Sequence, residues 1–194
     1  MRIGVLALQG AFAEHIVVLR RLKVEALPVR LPQQLIGLHG LIIPGGESTS
    51  INRLMLNYNL MTEIRNLAKN GFPVFGTCAG MILLARKISD SAVEPIGVMD
   101  IIVRRNAFGR QRESFETELL IPALGETPFP GVFIRAPVIE QANGKVEILA
   151  KLDDGTIVAA RQGKLLASAF HPELTNDLRF HRYFLSIVGG KQHV

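Results

Sequence analysis

The first half of the chain alternates continuous apolar runs with stretches that repeat every three or four residues. The segment RIGVLAL begins at Arg2 and is apolar along its length rather than alternating, as expected of a strand covered on both faces in a parallel sheet. Apolar side chains then recur at spacings of four and three, which predicts a helix with one apolar side, at Phe12, Ile16, Leu19 and Leu22.

The same alternation of strand and helix continues to residue 77. Further strands are predicted in VEALPVR, LHGLIIP and FPVFG, with helices over residues 48–57 and 61–70. Because strands and helices alternate, we expect a doubly wound α/β unit with a parallel sheet.

The second half changes to strands joined by short turns. Strand-like segments are VMDIIVRR, VEILAKL, TIVAARQ and LLASAFH. Turn residues at 153–155 and 162–164 predict hairpins between the last three of them. A closing helix follows, with Thr175 or Asn176 as its N-cap. We therefore predict one α/β domain over residues 1–194: a mostly parallel sheet flanked by helices on both faces, with an antiparallel strand extension in the C-terminal half.

Composition narrows the protein class. At 194 residues with 48% hydrophobic residues, the chain is long enough to fill a core without disulfides or metal. Its one cysteine cannot form an internal bridge, and no Cys and His pairs stand at zinc spacing, so we expect a reducing, cytoplasmic location and no metal. No apolar run reaches the roughly 18 residues of a membrane-spanning helix.

The net charge of +5 makes nucleic acid a candidate partner, because clustered Lys and Arg bind backbone phosphates. The only locally basic segment, RRNAFGRQR at residues 104–112, carries one possible stacking aromatic, Phe108, and the chain has no tryptophan. A solvated face, an acidic partner or a ligand carboxylate explains these arginines more simply, so we predict no nucleic-acid binding.

The single cysteine lies in GTCAG, between a predicted strand and a predicted helix. A lone cysteine is more often a small buried hydrophobe than a reagent. However, Gly76 and Gly80 flank Cys78 in the G-x-nucleophile-x-G pattern, in which a sharp turn lifts the reactive atom above the sheet edge. The positive end of the following helix favours a thiolate. Cys78 is therefore a candidate nucleophile.

A cysteine nucleophile needs a base, and His171 is the best placed of five histidines. Pro172 biases it toward an extended backbone, which would put Glu173 on the same face to orient the imidazole. The simpler alternative is a strand-end histidine beside a surface glutamate. The other four histidines are predicted to be surface or packing residues: His15, His39, His181 and His193.

The loop PGGES supplies candidate donors for an oxyanion. Backbone amides at Gly46 and Ala79 could form the hole if this loop lies beside the strand that carries Cys78. Alternatively, Gly45 and Gly46 form only a flexible turn. The order of nucleophile, histidine and acid differs from that of α/β-hydrolases and disfavours that class.

Together, PGGES, GTCAG and HPE resemble the triad-type (class I) glutamine amidotransferase domain. Within that family, LALQGAFAEH, RRNAFGRQRESFE, FIRAP and SAFHPEL are similar to the glutaminase subunits of pyridoxal 5'-phosphate synthases over nearly the whole length. The resemblance implies hydrolysis of L-glutamine to L-glutamate and ammonia without a cofactor, and delivery of the ammonia to a separate (β/α)8-barrel synthase subunit.

The resemblance also implies residue roles. Cys78, His171 and Glu173 would be the triad, with Gly46 and Ala79 as the oxyanion hole. Glutamine contacts would come from Gly46, Glu47, Ser48, Arg105, Ile134 and Arg135. For the two arginines, the charge supports this role, because a guanidinium can bind the carboxylate of a free amino acid through two hydrogen bonds. The role of Ile134 is implied by the resemblance alone.

Three alternatives remain open at this point. The same chemistry could serve another acceptor, such as imidazole glycerol phosphate synthase, against which NAFGRQRESFE counts by resemblance. The chain could also be a cysteine peptidase-like relative, or a glutamine sensor without catalysis.

Overall fold

The structure is a computed structural model that describes residues 1–91, 93–109 and 113–190. Strands and helices alternate in the first half: β1 (Arg2–Leu6), α1 (Phe12–Arg21), β2 (Glu25–Val29), β3 (Gly40–Ile43), α2 (Ser48–Asn57), α3 (Leu60–Lys69), β4 (Val74–Thr77) and α4 (Ala79–Leu84). Strands dominate the second half: β5 (Ala85–Ile88), β6 (Met99–Arg104), β7 (Ser114–Leu119), β8 (Phe129–Ile134), β9 (Val138–Ala142), β10 (Glu147–Lys151), β11 (Ile157–Gln162) and β12 (Leu165–Ser168), before the closing helix α5 (Arg179–Val188).

The main sheet has the strand order β2-β1-β3-β4-β12-β11-β9-β6-β5, with β10 added to β11. Neighbours from β2 to β12 are parallel, while the pairs β12-β11, β11-β9 and β9-β6 are antiparallel. Strands β7 and β8 form a separate antiparallel pair. This confirms the predicted α/β class with its antiparallel extension.

The central strands are apolar because both of their faces are covered. Every residue of β3, β4 and β12 is buried, which explains why these segments read as continuous apolar runs. Register places Ser168 of β12 opposite Thr77 of β4, and Ile43 of β3 opposite Gly76. The carboxyl ends of three parallel strands therefore meet at one edge of the sheet.

The buried face of α1 is wider than the predicted stripe. Leu19 is buried as expected, and Phe12 and Ile16 are half-buried and pack against the core. His15 and Val18 are buried as well, and apolar periodicity could not indicate His15 because its side chain is polar.

Other differences arise where strands are short or partly exposed. The helix predicted after Cys78 is short: α4 ends at Leu84, and the chain continues directly as β5, a strand that was not predicted. Strands β7, β8 and β9 were not predicted. Helix α5 begins later than expected, since the Arg179 amide donates to Oδ1 of Asp177 at 2.9 Å while Thr175 Oγ1 accepts from the Asp177 amide.

Among the described residues, no helix combines the length and apolar character needed to cross a membrane. Residues 110–112 of the predicted basic segment and His193 lie outside the described residues. Within that segment Arg104 pairs with Glu140 at 3.2 Å, and Arg105 faces Asp90 at 3.6 Å.

Candidate active site

Cys78 occupies a sharp turn between β4 and α4. Its backbone has φ 49° and ψ −104°, a positive φ that residues other than glycine rarely adopt. The turn is held on both sides, because the Cys78 amide donates to the Ser168 carbonyl at 2.7 Å and its own carbonyl accepts from the Ile82 amide at 3.2 Å. The predicted elbow is therefore present, with strain at the residue expected to react.

The two flanking glycines are required by close backbone contacts. A Cβ on Gly76 would lie 2.5 Å from the carbonyl carbon of Gly80, and a Cβ on Gly80 would lie 2.0 Å from the Ile43 carbonyl oxygen. Since backbone atoms cannot move aside as a flexible side chain can, any larger residue would force the turn apart. Both glycines of the G-x-nucleophile-x-G pattern are therefore required sterically.

His171 and Glu173 meet through a tight turn rather than through an extended strand. Strand β12 ends at Ser168, and Pro172–Leu174 forms a 3-10 turn immediately after His171. His171 Nδ1 lies 2.7 Å from Glu173 Oε1, and the two residues are 7% and 5% exposed. The pairing was predicted, but its extended backbone was wrong, because the proline starts a turn here.

Cys78 and His171 converge over Gly45. A Cβ on Gly45 would lie 2.4 Å from His171 Cε1 and 3.3 Å from Cys78 Cβ, so only glycine leaves room for both side chains. Burial lowers the pKa of His171, but its hydrogen bonds with Cys78 and Glu173 and their charges raise that pKa to about 10. This balance favours the protonated imidazolium form of His171.

The carboxyl of Glu173 is held ionised although it is buried. Burial alone would raise its pKa, whereas the facing His15 imidazole and the hydrogen bond from His171 lower it. A negative charge at this position can hold the His171 ring in one tautomer and stabilise its protonated form.

A cavity of about 300 Å³ opens at this sheet edge. Eight predicted site residues line it: Gly46, Glu47, Ser48, Cys78, Arg105, Ile134, Arg135 and His171. Ala79 is buried as the first residue of α4 directly after Cys78, and Glu173 lies behind His171. The structure thus brings together predicted residues that are far apart in the chain, such as Gly46 and His171.

Three cavity residues were not predicted: Gln9, Ile82 and Asn106. Gln9 follows shortly after β1, so the rule that ligands bind at the carboxyl ends of parallel strands could have indicated it. Ile82 follows Cys78 by one helical turn. Asn106 has φ 43°, and asparagine is one of the few residues that tolerates such a turn.

Glu47 caps helix α2 at the cavity rim. Its Oε1 and Oε2 accept the amides of Thr49 and Ser50 at 3.0 and 2.8 Å, and its own amide donates to Gln9 Oε1 at 2.8 Å. Burial opposes ionisation, but the hydrogen bonds from Ser50 and Thr49 together outweigh it and lower the pKa of Glu47 to about 2. Glu47 therefore presents a fixed negative charge.

Two arginines, Arg105 and Arg135, also line the cavity. Arg105 Nε lies 3.6 Å from Asp90 Oδ1 and has no hydrogen-bond partner among the described residues. Arg135 is exposed and has φ 42°. With Glu47 they give the cavity separated charges of both signs, which suits a ligand carrying a carboxylate and an ammonium group.

The remaining described histidines fall into two groups. His39 is exposed, in line with its prediction as an ordinary residue. His15 and His181 are completely buried, and His15 Nε2 lies 3.4 Å from Glu173 Oε2. Their pattern in the sequence gave no signal of this contact. In the described part of the chain, no group of three or more His, Cys, Asp or Glu residues could hold a metal ion.

Comparison with known proteins points to one family. The SNO glutamine amidotransferase family matches residues 5–189. A protein named pyridoxal 5'-phosphate synthase subunit PdxT from Herpetosiphon aurantiacus is 60% identical over 190 residues, which covers 96% of this chain and 100% of that protein. The protein of the same name from Moorella thermoacetica is 59% identical over 189 residues, covering 97% and 100%.

Solved structures agree on the fold. A crystal structure described as a glutamine amidotransferase has a TM-score of 0.91 at 51% identity and covers 96% of this chain and 98% of its own. The structure of PurLQS from Thermotoga maritima has a TM-score of 0.69 at 15% identity, covering 95% of this chain and 97% of its own, and shares the fold alone.

Proposed function

The chain belongs to the SNO glutamine amidotransferase family, and from that premise we propose that it hydrolyses L-glutamine to L-glutamate and ammonia for a pyridoxal 5'-phosphate synthase. The observation that carries the proposal is the buried alignment of Cys78, His171 and Glu173 at the floor of a cavity with charged residues around it. The names of the full-length relatives support this acceptor over the imidazole glycerol phosphate pathway.

Glutamine would be oriented by its charged end. Its carboxylate would pair with Arg105 and Arg135, while the fixed negative charge of Glu47 suits its ammonium group. Ser48 and Ile134 would line the side-chain path toward Cys78. This arrangement brings the amide carbon to the sulfur and leaves the charged groups at the rim.

The reaction would proceed through a thioester. The Cys78 thiolate attacks the side-chain amide carbon, and the amides of Gly46 and Ala79 stabilise the resulting oxyanion. Protonated His171 gives its proton to the departing nitrogen, so ammonia leaves as the C–N bond breaks. His171 then takes a proton from water, which attacks the thioester to release glutamate and the thiolate.

The ammonia product calls for a partner subunit that receives it. Free ammonia would be protonated and lost in bulk water, so we propose that a (β/α)8-barrel synthase subunit docks and receives it through an interior path. The two work in the cytoplasm, consistent with a single free cysteine. We expect the chain alone to hydrolyse glutamine poorly until this partner is bound.

The direct test uses glutamine labelled with 15N at its amide. Ammonia release is measured for the wild-type chain and for Cys78→Ala, each with and without a barrel synthase subunit. We expect strong stimulation by the synthase and a loss of at least about a thousand-fold in Cys78→Ala.

The exposed substitution His39→Gln is the control and should leave the rate unchanged. Wild-type release that does not require Cys78 would refute the proposed chemistry. Equal rates with and without the synthase would refute the proposed activation by the partner.

A further inference from the structure

A pair of buried histidines lies directly behind the triad. His15 on α1 and His181 on α5 are both 0% exposed, and His15 Nδ1 lies 2.9 Å from His181 Nε2. The other ring nitrogen of His15, Nε2, lies 3.2 Å from Thr77 Oγ1 and 3.4 Å from Glu173 Oε2. These contacts extend the series Cys78, His171 and Glu173 by two further side chains.

The contact reaches the one carboxylate oxygen that the triad leaves unused. Oε1 of Glu173 faces His171, whereas Oε2 is buried and has no hydrogen bond of good geometry among the described residues. The groups that face this carboxyl are His171 from its own turn and His15 from α1, and the same His15 nitrogen also contacts Thr77 Oγ1 from β4. An imidazole N–H at His15 is therefore the main available donor to Oε2.

Both rear imidazoles are neutral near pH 7. Burial lowers the pKa of His15 and the charge of His171 adds to this effect, while the charges of Glu173 and Glu14 oppose it. Burial and His15 lower the pKa of His181 to about 3. Each ring therefore carries one proton, and only one of them lies between His15 Nδ1 and His181 Nε2.

Two arrangements of these protons are possible, and electrostatics separates them. If His15 carried its proton on Nδ1, a bare Nε2 lone pair would face the Glu173 carboxylate, and His181 would bury an unused N–H at Nδ1, which has no partner among the described residues. If His181 donates from Nε2 instead, His15 must carry its proton on Nε2, directed at Glu173. Every N–H then has an acceptor.

We propose that His15 is a positioning residue of the triad, held by His181 in the Nε2–H tautomer so that it fixes and keeps ionised the Glu173 carboxylate. The proposal rests on the proposed glutaminase function for its kinetic consequence, because His15 does not line the cavity. Its effect reaches the substrate through Glu173 and His171. Thr77, next to the nucleophile, shares the same His15 nitrogen and links the network to the elbow.

The protonation pattern can be tested without substrate or partner. In the full chain labelled with 15N-histidine, ring-nitrogen chemical shifts distinguish protonated from bare nitrogens. We expect His15 and His181 both protonated at Nε2 and bare at Nδ1 near pH 7, with signals assigned by single substitution of each histidine. A proton on His15 Nδ1 would overturn the proposal whatever the activity of the chain.

The kinetic test compares two replacements of His15 in the complex with a barrel synthase. His15→Leu fills the space without a donor, and we expect kcat to fall about ten- to a hundred-fold with an unchanged KM. His15→Gln offers an N–H near the former Nε2 and should recover most of that loss. Equal kcat values for the two variants would reduce His15 to a packing role and overturn the proposal.

His181→Phe is a second variant in case His15→Leu does not fold. A phenyl ring preserves the edge contact with Phe75, whose centroid lies 6.0 Å away, but it removes the group that fixes the His15 tautomer. We expect kcat to fall several-fold and the His15 ring-nitrogen shifts to report a mixture of tautomers. Unchanged shifts and an unchanged kcat would contradict the proposal.

His39→Gln again serves as the exposed control. Absence of ammonia release by the wild-type complex would instead refute the proposed function, and the shifts would still decide the tautomer.

Discussion

Removing the charge of Glu47 should destabilise the fold in a manner that depends on pH. In Glu47→Gln the side chain keeps one acceptor for the helix amides but loses the second carboxylate oxygen and the negative charge at the start of α2. The wild-type contribution comes from two hydrogen bonds and the helix dipole. Any loss of stability should therefore appear without rearrangement of the core.

The size of the effect follows from the pKa and the exposure of the group. Without any allowance for solvent, a fall in the pKa of Glu47 from 4.5 to about 2 would correspond to about 3.4 kcal/mol of folding free energy. Glu47 is exposed, however, and solvent screening reduces such values strongly, so we expect about 1 kcal/mol, the usual worth of an N-cap.

The sign of the pH dependence is fixed by the direction of that change. Because the folded pKa lies below the unfolded value, the contribution is complete above pH 4.5 and is lost as pH falls toward about 2. Urea unfolding of wild type and Glu47→Gln at several pH values from 7 to 3 should show a gap of about 1 kcal/mol that narrows below pH 4.5.

Glu147→Gln provides the matched control, since Glu147 is an exposed carboxylate that lies on β10 and caps no helix. It should unfold like wild type at every pH. A Glu47→Gln gap that stayed constant down to pH 3 would show that the lost charge is not responsible and would refute the reasoning.

Three further perturbations probe the elbow, the cavity and the last helix. Gly80→Ala should lower the free energy of unfolding, measured in urea, by more than about 3 kcal/mol or prevent folding, because the added Cβ would lie 2.0 Å from the Ile43 carbonyl oxygen of β3. The control Gly189→Ala should be nearly neutral, since its Cβ would have no contact under 3.5 Å. Arg105→Met should raise the KM for glutamine at least about ten-fold in the synthase complex with less effect on kcat, and an unchanged KM would exclude its role in binding. Asp177→Asn should lower the melting temperature by a few degrees, because the Asp177 carboxylate accepts the Arg179 amide at 2.9 Å at the start of α5. Burial opposes ionisation of Asp177, but hydrogen bonds from Arg179 lower its pKa, so an unchanged melting temperature at pH 7 would show that this contact does not stabilise the fold.

Most of the nucleophile's setting was predictable because it is local. The elbow needs two glycines at fixed spacing around Cys78, which the sequence shows directly, and close backbone contacts in the structure explain why no larger residue fits. His171 and Glu173 are two residues apart, so their pairing was predictable although the turn between them was not.

The missed strands share a property that weakens sequence patterns. In β7 the residues alternate between exposed and half-buried positions, so its apolar signal is faint, and its partner β8 contains both a proline and a glycine. Gln9 and Asn106 were missed for another reason: they reach the cavity from turns, whose direction depends on the sheet around them.

By itself, the sequence determined the strand and helix alternation, the sharp turn at Cys78 and the identity of its catalytic candidates, because these depend on side-chain periodicity and on neighbours a few residues away. Only the tertiary structure decided what stands behind the triad. His15 and His181 are 166 residues apart and lie 2.9 Å from each other, since α1 and α5 bring them together beside β4. Their burial, neutrality and contact with Glu173 are properties of that packing, and no local pattern encodes them.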